Sequence, residues 1–427
     1  MKIGVGVLGA GNVGGALIHR LIADRDAIAA KTGLDLELRK VAVRSLTKAR
    51  WFGLPAGLVT QDSPAVIDDP EVQLVVELMG GIQPAADLIQ RALQAGKAVV
   101  TANKEVIASR GPQLLAVAAE AGVPLLFEAA VGGGIPILRP LSESLAGEAI
   151  HRVTGIVNGT TNFILTQMTD ADQDLVTALS QAQALGLAEA DPSADLSGSD
   201  AAAKAVILAS LAFGGWVDPA LVYCEGIADL DAIDLRLGAD LDYVMKLLAI
   251  AEESGDGISV RVHPSFLPSD HPLASVKGAS NAIFVEGASV GRLLFAGAGA
   301  GGEPTATAVL GDVIDAARQL LSSSRISAPV RFAPGRVADF GEVPTAWYLR
   351  IEVADRPGVL AQVAAAFGDC GVSIRLVWQE GRGDDATLVV VTHRTREADQ
   401  RRAALALTGL EVVREVAATY RVEDEEA

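Results

Sequence analysis

An α/β fold that opens on a parallel sheet, continues into an α+β segment and closes on a small βαββαβ module is what this 427-residue sequence predicts. Three observations carry that expectation. Short valine- and leucine-rich runs alternate with longer helical patterns over residues 1–130, which calls for a parallel sheet with helices on both faces. A glycine pattern, "GAGNVGG", stands between the first run and the first helix. From residue 345 onward, runs and helices recur in the order strand, helix, strand, strand, helix, strand, a ferredoxin-like arrangement.

Taken in order, "KIGVGVLG", "LELRKVAVR", "VQLVVELMG", "KAVVTAN" and "PLLFEAAV" read as buried strands. "NVGGALIHRLIADRDAIAA", "PAADLIQRALQA" and "GPQLLAVAAEAG" read as the helices between them. Residues 131–330 are mixed: helices "DLVTALSQAQALG" and "SDAAAKAVILASLAF" precede strands "ISVRVHP", "NAIFVEG" and "GRLLFAG". A helix over 305–325 is expected to return to the first domain. A linker holding "SAPVRFAPGRVADFGEVP" then leads to the last module. The expected domains are a nucleotide-binding domain at 1–130, a catalytic and dimerisation domain at 131–330, and a module at 345–423. A cut near residue 340 should leave a folded catalytic part.

Net charge is −18, which argues against a nucleic-acid partner, since clustered Lys/Arg is the footprint of phosphate binding. Mean hydropathy is +0.34, supplied largely by alanine and valine. No run reaches the roughly 18 apolar residues of a membrane span, and no cleavage site follows the apolar N-terminus. A cytoplasmic protein is expected. Cys224 and Cys370 lie far apart, with neither a disulfide framework nor a zinc pattern.

Gly9, Gly11 and Gly14 have the G-x-G-x-x-G spacing after a strand, with Asn12 and Val13 opening the helix. The three glycines serve a tight turn, close approach to a pyrophosphate, and close helix–strand packing. This is a Rossmann-type dinucleotide site. The second strand ends "VAVRS", where an NAD-preferring site tends to carry an acid for the ribose hydroxyl. Arg44 stands there, with Ser45 beside it and Lys48 close by, which favours NADP and leaves NAD and a merely solvated arginine open. Thr101, Asn103 and Lys104 in "VVTANKE" sit at the strand edge where such sheets bind ligands. Lys104 reads as a phosphate or nicotinamide neighbour, or as a surface lysine at a helix start.

In the middle segment, Lys204 follows Asp200 by four residues and heads an apolar run, "AVILASLAF". An isolated pair of this spacing is usually a surface ion pair. Here a turn-rich loop with Glu189, Asp191 and Asp195 precedes it, so carboxylates and one lysine converge as for a cationic, carbonyl-bearing substrate. Asn158, Gly159, Thr160 and Thr161 in "IVNGTTNFIL" read as a ligand-lining turn or as a capped helix start.

Together "GAGNVGG", "TANK", "FEAAVGGGIP", "NGTTNFIL" and "GLAEADPSADLSGSDAAAK" resemble homoserine dehydrogenase, in order across residues 1–325. The resemblance implies reversible reduction of L-aspartate 4-semialdehyde to L-homoserine with NAD(P)H, on the way to threonine, methionine and isoleucine. It implies Lys204 as proton donor or acceptor and Lys104 close to cofactor and substrate. It also implies Glu189 and Asp200 on the substrate amino group; Asn158, Gly159 and Thr160, as a ligand-lining turn, are the candidates for the substrate wall beside them. Family members can bind a sodium ion through the segment matching "EAAVGGGI", which points to Glu128, Val131, Gly133 and Ile135. Ala194 departs from relatives that carry a second aspartate beside the one matching Asp195.

"ADRPGVLAQVAAAFGDCGVSI" resembles the ACT domain, an amino-acid sensor that binds ligands between paired modules. Asp355, Arg356, Pro357 and Gly358 match its strand-to-helix loop, and Val372, Ser373 and Ile374 its partner strand. That implies a homodimer or homotetramer and an effector, with L-threonine expected; a purely structural dimerisation module is the competing reading. Two other functions compete. Another NADP-dependent semialdehyde oxidoreductase that reduces an acyl phosphate needs a nucleophilic cysteine, and neither cysteine stands in such a setting. A dinucleotide- and amino-acid-binding regulator leaves Lys204 and the acidic loop without a task.

Overall fold

The structure is a computed structural model and describes residues 2–47, 54, 56–255, 257–322, 332–381 and 386–424. The chain opens with β1 (Lys2–Leu8), α1 (Asn12–Ala23), α2 (Arg25–Thr32), β2 (Asp35–Ala42), β3 (Val59–Thr60), α3 (Ser63–Ile67) and β4 (Leu74–Glu77). It continues through α4 (Ala85–Gln94), β5 (Ala98–Thr101), α5 (Lys104–Ala121) and β6 (Leu125–Leu126). The middle holds β7 (Ile150–Ile156), α6 (Gly159–Asp170), α7 (Leu175–Ala184), α8 (Ser193–Leu196), α9 (Ser199–Phe213), β8 (Gly215–Trp216) and β9 (Tyr223–Cys224). Then come α10 (Ala232–Asp240), β10 (Tyr243–Ser254), β11 (Gly257–Pro268), β12 (Ser280–Gly287), β13 (Gly291–Ala298), α11 (Gly302–Leu321) and β14 (Ala333–Pro334). The last part is β15 (Pro344–Val353), α12 (Val359–Asp369), β16 (Ile374–Glu380), β17 (Ala386–Thr392), β18 (Thr395–Arg396), α13 (Glu397–Thr408) and β19 (Val413–Val422).

By compactness the chain forms two units. One comprises Met1–Val153, Val206–Ala220 and Asn281–Gly335. Its parallel sheet has the order β3-β2-β1-β4-β5-β6, the doubly wound order with a switch point between β1 and β4. Central strands β4 and β5 are buried along their whole length, as helices on both faces require. The helix α11 lays Ala306, Val309, Leu310, Val313, Ala316 and Ala317 into the core around Ala16, Leu17, Val76 and Val100. Some elements differ from the sequence reading, among them α5, which begins at Lys104. The first helical stretch is broken at Asp24 into α1 and α2. The run "PLLFEAAV" is a strand only over β6 and then tightens into a 3-10 turn at Glu128–Ala130.

The other unit comprises Thr154–Ala205, Leu221–Ser280 and Arg336–Ala427. A long antiparallel hairpin of β10 and β11 runs from the Tyr243–Pro268 pair to Ser254–Gly257. The final βαββαβ order is as predicted, with strands arranged β19-β15-β17-β16. Its own core joins Trp347, Leu349 and Ile351 of β15 to Val363 and Phe367 of α12 and Ala403 and Leu407 of α13. This module is not a bead on a linker. Its last strand pairs in parallel with β11, at Ser265–Arg421 and Phe266–Val422. Buried Asp234 of α10 accepts from Arg350 Nε at 2.7 Å and from Tyr348 OH at 3.0 Å.

Candidate functional site

The glycine loop divides its work between closed and open positions. Gly9 has φ +102, and a side chain there would lie 2.5 Å from the Leu78 carbonyl; one on Gly14 would lie 2.2 Å from the Gly9 carbonyl. A Cβ on Gly11 would meet nothing within 4 Å, so the loop is filled by protein at two glycines and left open at the third. The helix α1 starts at Asn12 and Val13 with Gly11 as N-cap, no side-chain cap and no acid in its first turn. That combination suits an anion at the helix start. A second helix start, Gly301–Gly302 of α11, comes against the loop, with the Gly302 Cβ direction 3.0 Å from the Asn12 carbonyl. The sequence reading gave Gly301 and Gly302 no role; the run "GAGAGGEP" was the available signal.

Arg44 stands two residues beyond β2 and is exposed, its main-chain carbonyl accepting from Gln61 Nε2 at 2.8 Å. Lys48 lies outside the described residues. Thr101 is turned inward: its hydroxyl donates to Glu77 Oε2 at 2.6 Å in the buried end of β4. Burial raises the Glu77 pKa above the usual carboxylate range. The Thr101 side chain therefore shapes the β5–α5 turn, and only its main chain is left for a cofactor. Asn103 caps α5, accepting from Val106 N at 3.2 Å and donating to the Gly81 carbonyl at 2.7 Å. Lys104 is the half-buried first residue of that helix. A cation there opposes the helix dipole, so helix stability does not explain it.

Glu128 has its carboxylate committed. Oε1 accepts from Ile137 N and Leu138 N at 2.6 and 2.9 Å, and Oε2 from Arg139 N at 2.8 Å. Val131, Gly133 and Ile135 have no side-chain oxygen. The donors this turn offers a cation are thus main-chain carbonyls, turned by positive φ at Gly132 and Gly133. Neutral carbonyl oxygens suit a hard cation. Among the described residues no group of three His, Cys, Asp or Glu side chains is poised to hold a metal.

The Lys204 neighbourhood lies in the second unit. Asn158 ends β7's connection and caps α6, its Oδ1 accepting from Thr161 N at 2.9 Å. Its Nδ2 donates to Asp195 Oδ1 at 2.6 Å and to Asp200 Oδ2 at 2.8 Å. Lys204 Nζ donates to the same Asp200 oxygen at 2.6 Å and to the Val157 carbonyl at 2.7 Å. The Lys204 and Asp200 side chains are 13 % and 11 % exposed, so this is not a solvated surface pair. The "NGTT" turn is a capped helix start, and the cap's amide gathers two carboxylates. Gly159 is the first residue of α6, and Thr160 donates to the Leu187 carbonyl at 2.8 Å, tying α6 to the acidic loop. One turn on, Asn162 accepts from buried Lys246 at 3.0 Å, whose pKa burial lowers to about 8.

Glu189 is exposed on that loop, and its carboxylate lies outside the hydrogen-bonded set just described. Asp195, which the sequence places among the converging carboxylates, is inside it. The short helix α8 between Asp191 and Ser199 turns Asp195 back toward Asn158, which spacing along the chain does not reveal.

In the last module, Asp355–Gly358 form an exposed loop, with Gly358 at φ +94 as N-cap of α12. Asp355 accepts from Gln379 Nε2 at 3.3 Å. Ser373 is exposed and Ile374 half-buried, whereas Val372 packs in the module's core and offers no surface to a ligand.

A doubly wound sheet with an open glycine loop, a half-buried lysine–carboxylate set and an appended βαββαβ module define a dinucleotide-dependent oxidoreductase. Comparison gives it a family. Residues 9–128 match the model described as homoserine dehydrogenase, NAD binding domain, residues 136–314 the homoserine dehydrogenase model, and residues 347–411 the ACT domain. The homoserine dehydrogenase of Corynebacterium glutamicum is 46 % identical over 426 residues, 99 % of this chain and 96 % of that one. The crystal structure of a homoserine dehydrogenase from Thiobacillus denitrificans superposes with TM-score 0.94 at 40 % identity, covering 99 % of both chains. A hyperthermophilic archaeal homoserine dehydrogenase in complex with NADPH aligns at 28 % identity and TM-score 0.61, over 75 % of this chain and 98 % of that one. The chain belongs to the homoserine dehydrogenase family and carries a C-terminal ACT domain. No helix among the described residues is long and apolar enough to cross a membrane.

Proposed function

We propose that the protein interconverts L-aspartate 4-semialdehyde and L-homoserine with NADP(H) as the preferred cofactor, and that Lys204 donates and accepts the proton. The observation that carries this reading is the closed set of Asn158, Asp195, Asp200 and Lys204. When bound, the nicotinamide supplies or takes the hydride at the substrate carbon. Negative charge then grows on the carbonyl oxygen, and an ammonium held in place stabilises it and supplies the proton. Asp200 and the Val157 carbonyl fix Lys204 by two hydrogen bonds. Asp200 and exposed Glu189 are assigned to the substrate ammonium, and the Asn158–Gly159–Thr160 turn to the wall around it. Lys104 is assigned to the cofactor side of the reaction.

NADP over NAD rests on Arg44, an exposed guanidinium where an acid would read the ribose hydroxyl. The open position at Gly11 and the uncapped start of α1 fit the pyrophosphate. A sodium ion would be held by main-chain carbonyls of Glu128, Val131, Gly133 and Ile135. The ACT module is assigned to feedback by L-threonine in a cytoplasmic homodimer or homotetramer. The experiment is direct: purified protein, L-homoserine and either NADP or NAD, followed at the absorbance of reduced nicotinamide. Reduction that needs homoserine and runs faster with NADP is expected. No reduction with either cofactor rejects the reading.

A further inference from the structure

Arg421, near the end of β19, gathers groups from three distant parts of the second unit. It is hydrogen-bonded to Glu225 Oε2, and its Nη2 donates to Tyr223 OH at 2.9 Å and to Glu397 Oε1 at 2.7 Å. Tyr223 OH in turn donates to Glu225 Oε2 at 2.8 Å. The guanidinium is buried, and its carbon lies 5.2 Å from the Tyr223 ring centre and 5.1 Å from that of Trp347. A planar fork held this way fixes direction as well as charge, which a lysine would not do. The proposed chemistry makes no use of it.

The residues around Glu225 clasp the loop that leads into the Lys204 set. Ile227 N donates to the Leu196 carbonyl at 2.8 Å, and Cys224 Sγ to the Ser197 carbonyl at 3.3 Å. Between them, a Cβ on Gly226 would lie 1.9 Å from the Leu196 oxygen, so only glycine permits this approach. Leu196 and Ser197 directly follow Asp195, which shares the Asn158 amide with Asp200. Beside the clasp is a cavity of about 430 Å³, lined among others by Leu196, Ser197, Glu225, Asp229 and Thr419 of β19. The clasp is thus bordered on the β19 side by a cleft that solvent reaches.

We propose that Arg421 and Glu225 are positioning residues for homoserine: they fix the 224–227 clasp, the clasp fixes Leu196–Ser197, and so the ACT module sets where Asp195 and Asp200 stand. This rests on the reading of Asp200 and Lys204 as the substrate site. It gives the C-terminal module a part in catalysis with or without an effector. It also names the joint through which any effector that favours one placement of β19 acts.

The test is steady-state homoserine oxidation by the full chain carrying Glu225→Gln, Arg421→Lys, or both, with homoserine and cofactor varied separately. Each single variant should lower kcat/KM for homoserine by about 2- to 30-fold, the range of residues that modulate coupling. The cofactor KM should stay at its wild-type value, and the double variant should be no worse than the worse single, because both act on one joint. Glu225 is 34 % exposed, so its glutamine variant folds even if Arg421→Lys lowers the melting temperature. Wild-type constants for Glu225→Gln, equal losses for homoserine and cofactor, or additive losses would each overturn the inference. Lys204→Ala in the same assay separates the two levels. If it retains activity, the site reading is wrong; if it is inactive while Glu225→Gln is normal, only the clasp is wrong.

Discussion

Lys204 Nζ stands 2.6 Å from Asp200 Oδ2 one turn earlier on α9, with both side chains nearly closed to water. A surface pair of this spacing is worth a few tenths of a kcal/mol and leaves both groups free to wander. Here the Val157 carbonyl and the Asn158 amide hold the two ends, so the ammonium has a fixed place. Lys204→Ala should lower kcat by about 10²–10⁴-fold, the usual worth of a positioned proton donor, with cofactor binding retained. Stopped-turnover rates and cofactor fluorescence titration measure the two separately. Activity within a few-fold of wild type would return Lys204 to a structural role.

Arg44 is exposed just beyond β2, whose end pairs with the end of β1 that leads into the glycine loop. Arg44→Asp replaces a guanidinium suited to a 2′-phosphate by the acid suited to a 2′-hydroxyl. The KM for NADP should rise much more than that for NAD. Equal rises for the two cofactors would mean that Arg44 does not touch the phosphate.

The parallel sheet and the final module were legible because their signals are local. Continuous valine runs, the glycine spacing and the strand–helix order each follow from neighbouring residues. The strand β10 was not legible: "YVMKLLAIA" has no alternation, since it is buried on both faces, and a short apolar run does not separate strand from helix. Lys204 and Asp200 could be paired from their spacing along one helix. Asp195 could not, because it reaches Asn158 across 37 residues through a turn of α8. The same holds for Arg421 and Glu225, which are 196 residues apart and meet only because β19 pairs with β11.

His263 is fully buried on β11, its Nδ1 within 2.7 Å of Ser265 Oγ. Burial, with the Arg421 and Arg261 guanidinium groups, lowers its pKa from 6.5 to about 3, against the opposing pull of Glu423 and Glu397. The folded pKa lies below the unfolded one, so as pH falls the unfolded chain takes the proton first. Stability from this group is complete above about pH 6.5 and is lost toward pH 3, by at most about 1.4 kcal/mol per pH unit. His263→Gln should flatten that acid limb. Urea midpoints at pH 7 and pH 5 for both proteins measure it; an unchanged difference between the two pH values would show that His263 takes up no proton on unfolding in this range.

Control by L-threonine is best tested on the whole chain. The sequence alone favours cutting near residue 340, but that cut breaks contacts inside the second unit. It removes Arg350 from buried Asp234 and Arg421 from Glu225, and it strips β19 from β11. Breaking one partner out of a buried ion pair costs about 3–5 kcal/mol, a large part of a typical domain's stability. The cut chain should therefore aggregate or melt early, and a lost response would say nothing about sensing. Asp355→Ala acts instead on an exposed loop, at a side chain that accepts from Gln379. An effector changes activity only by favouring one arrangement over another, typically by about 5–150-fold in affinity or rate. Homoserine oxidation with and without millimolar threonine should show such a ratio for the wild-type chain and a ratio near one for Asp355→Ala. If the wild-type chain ignores threonine, methionine and isoleucine, and calorimetry detects no binding of any of them, the module is a structural one.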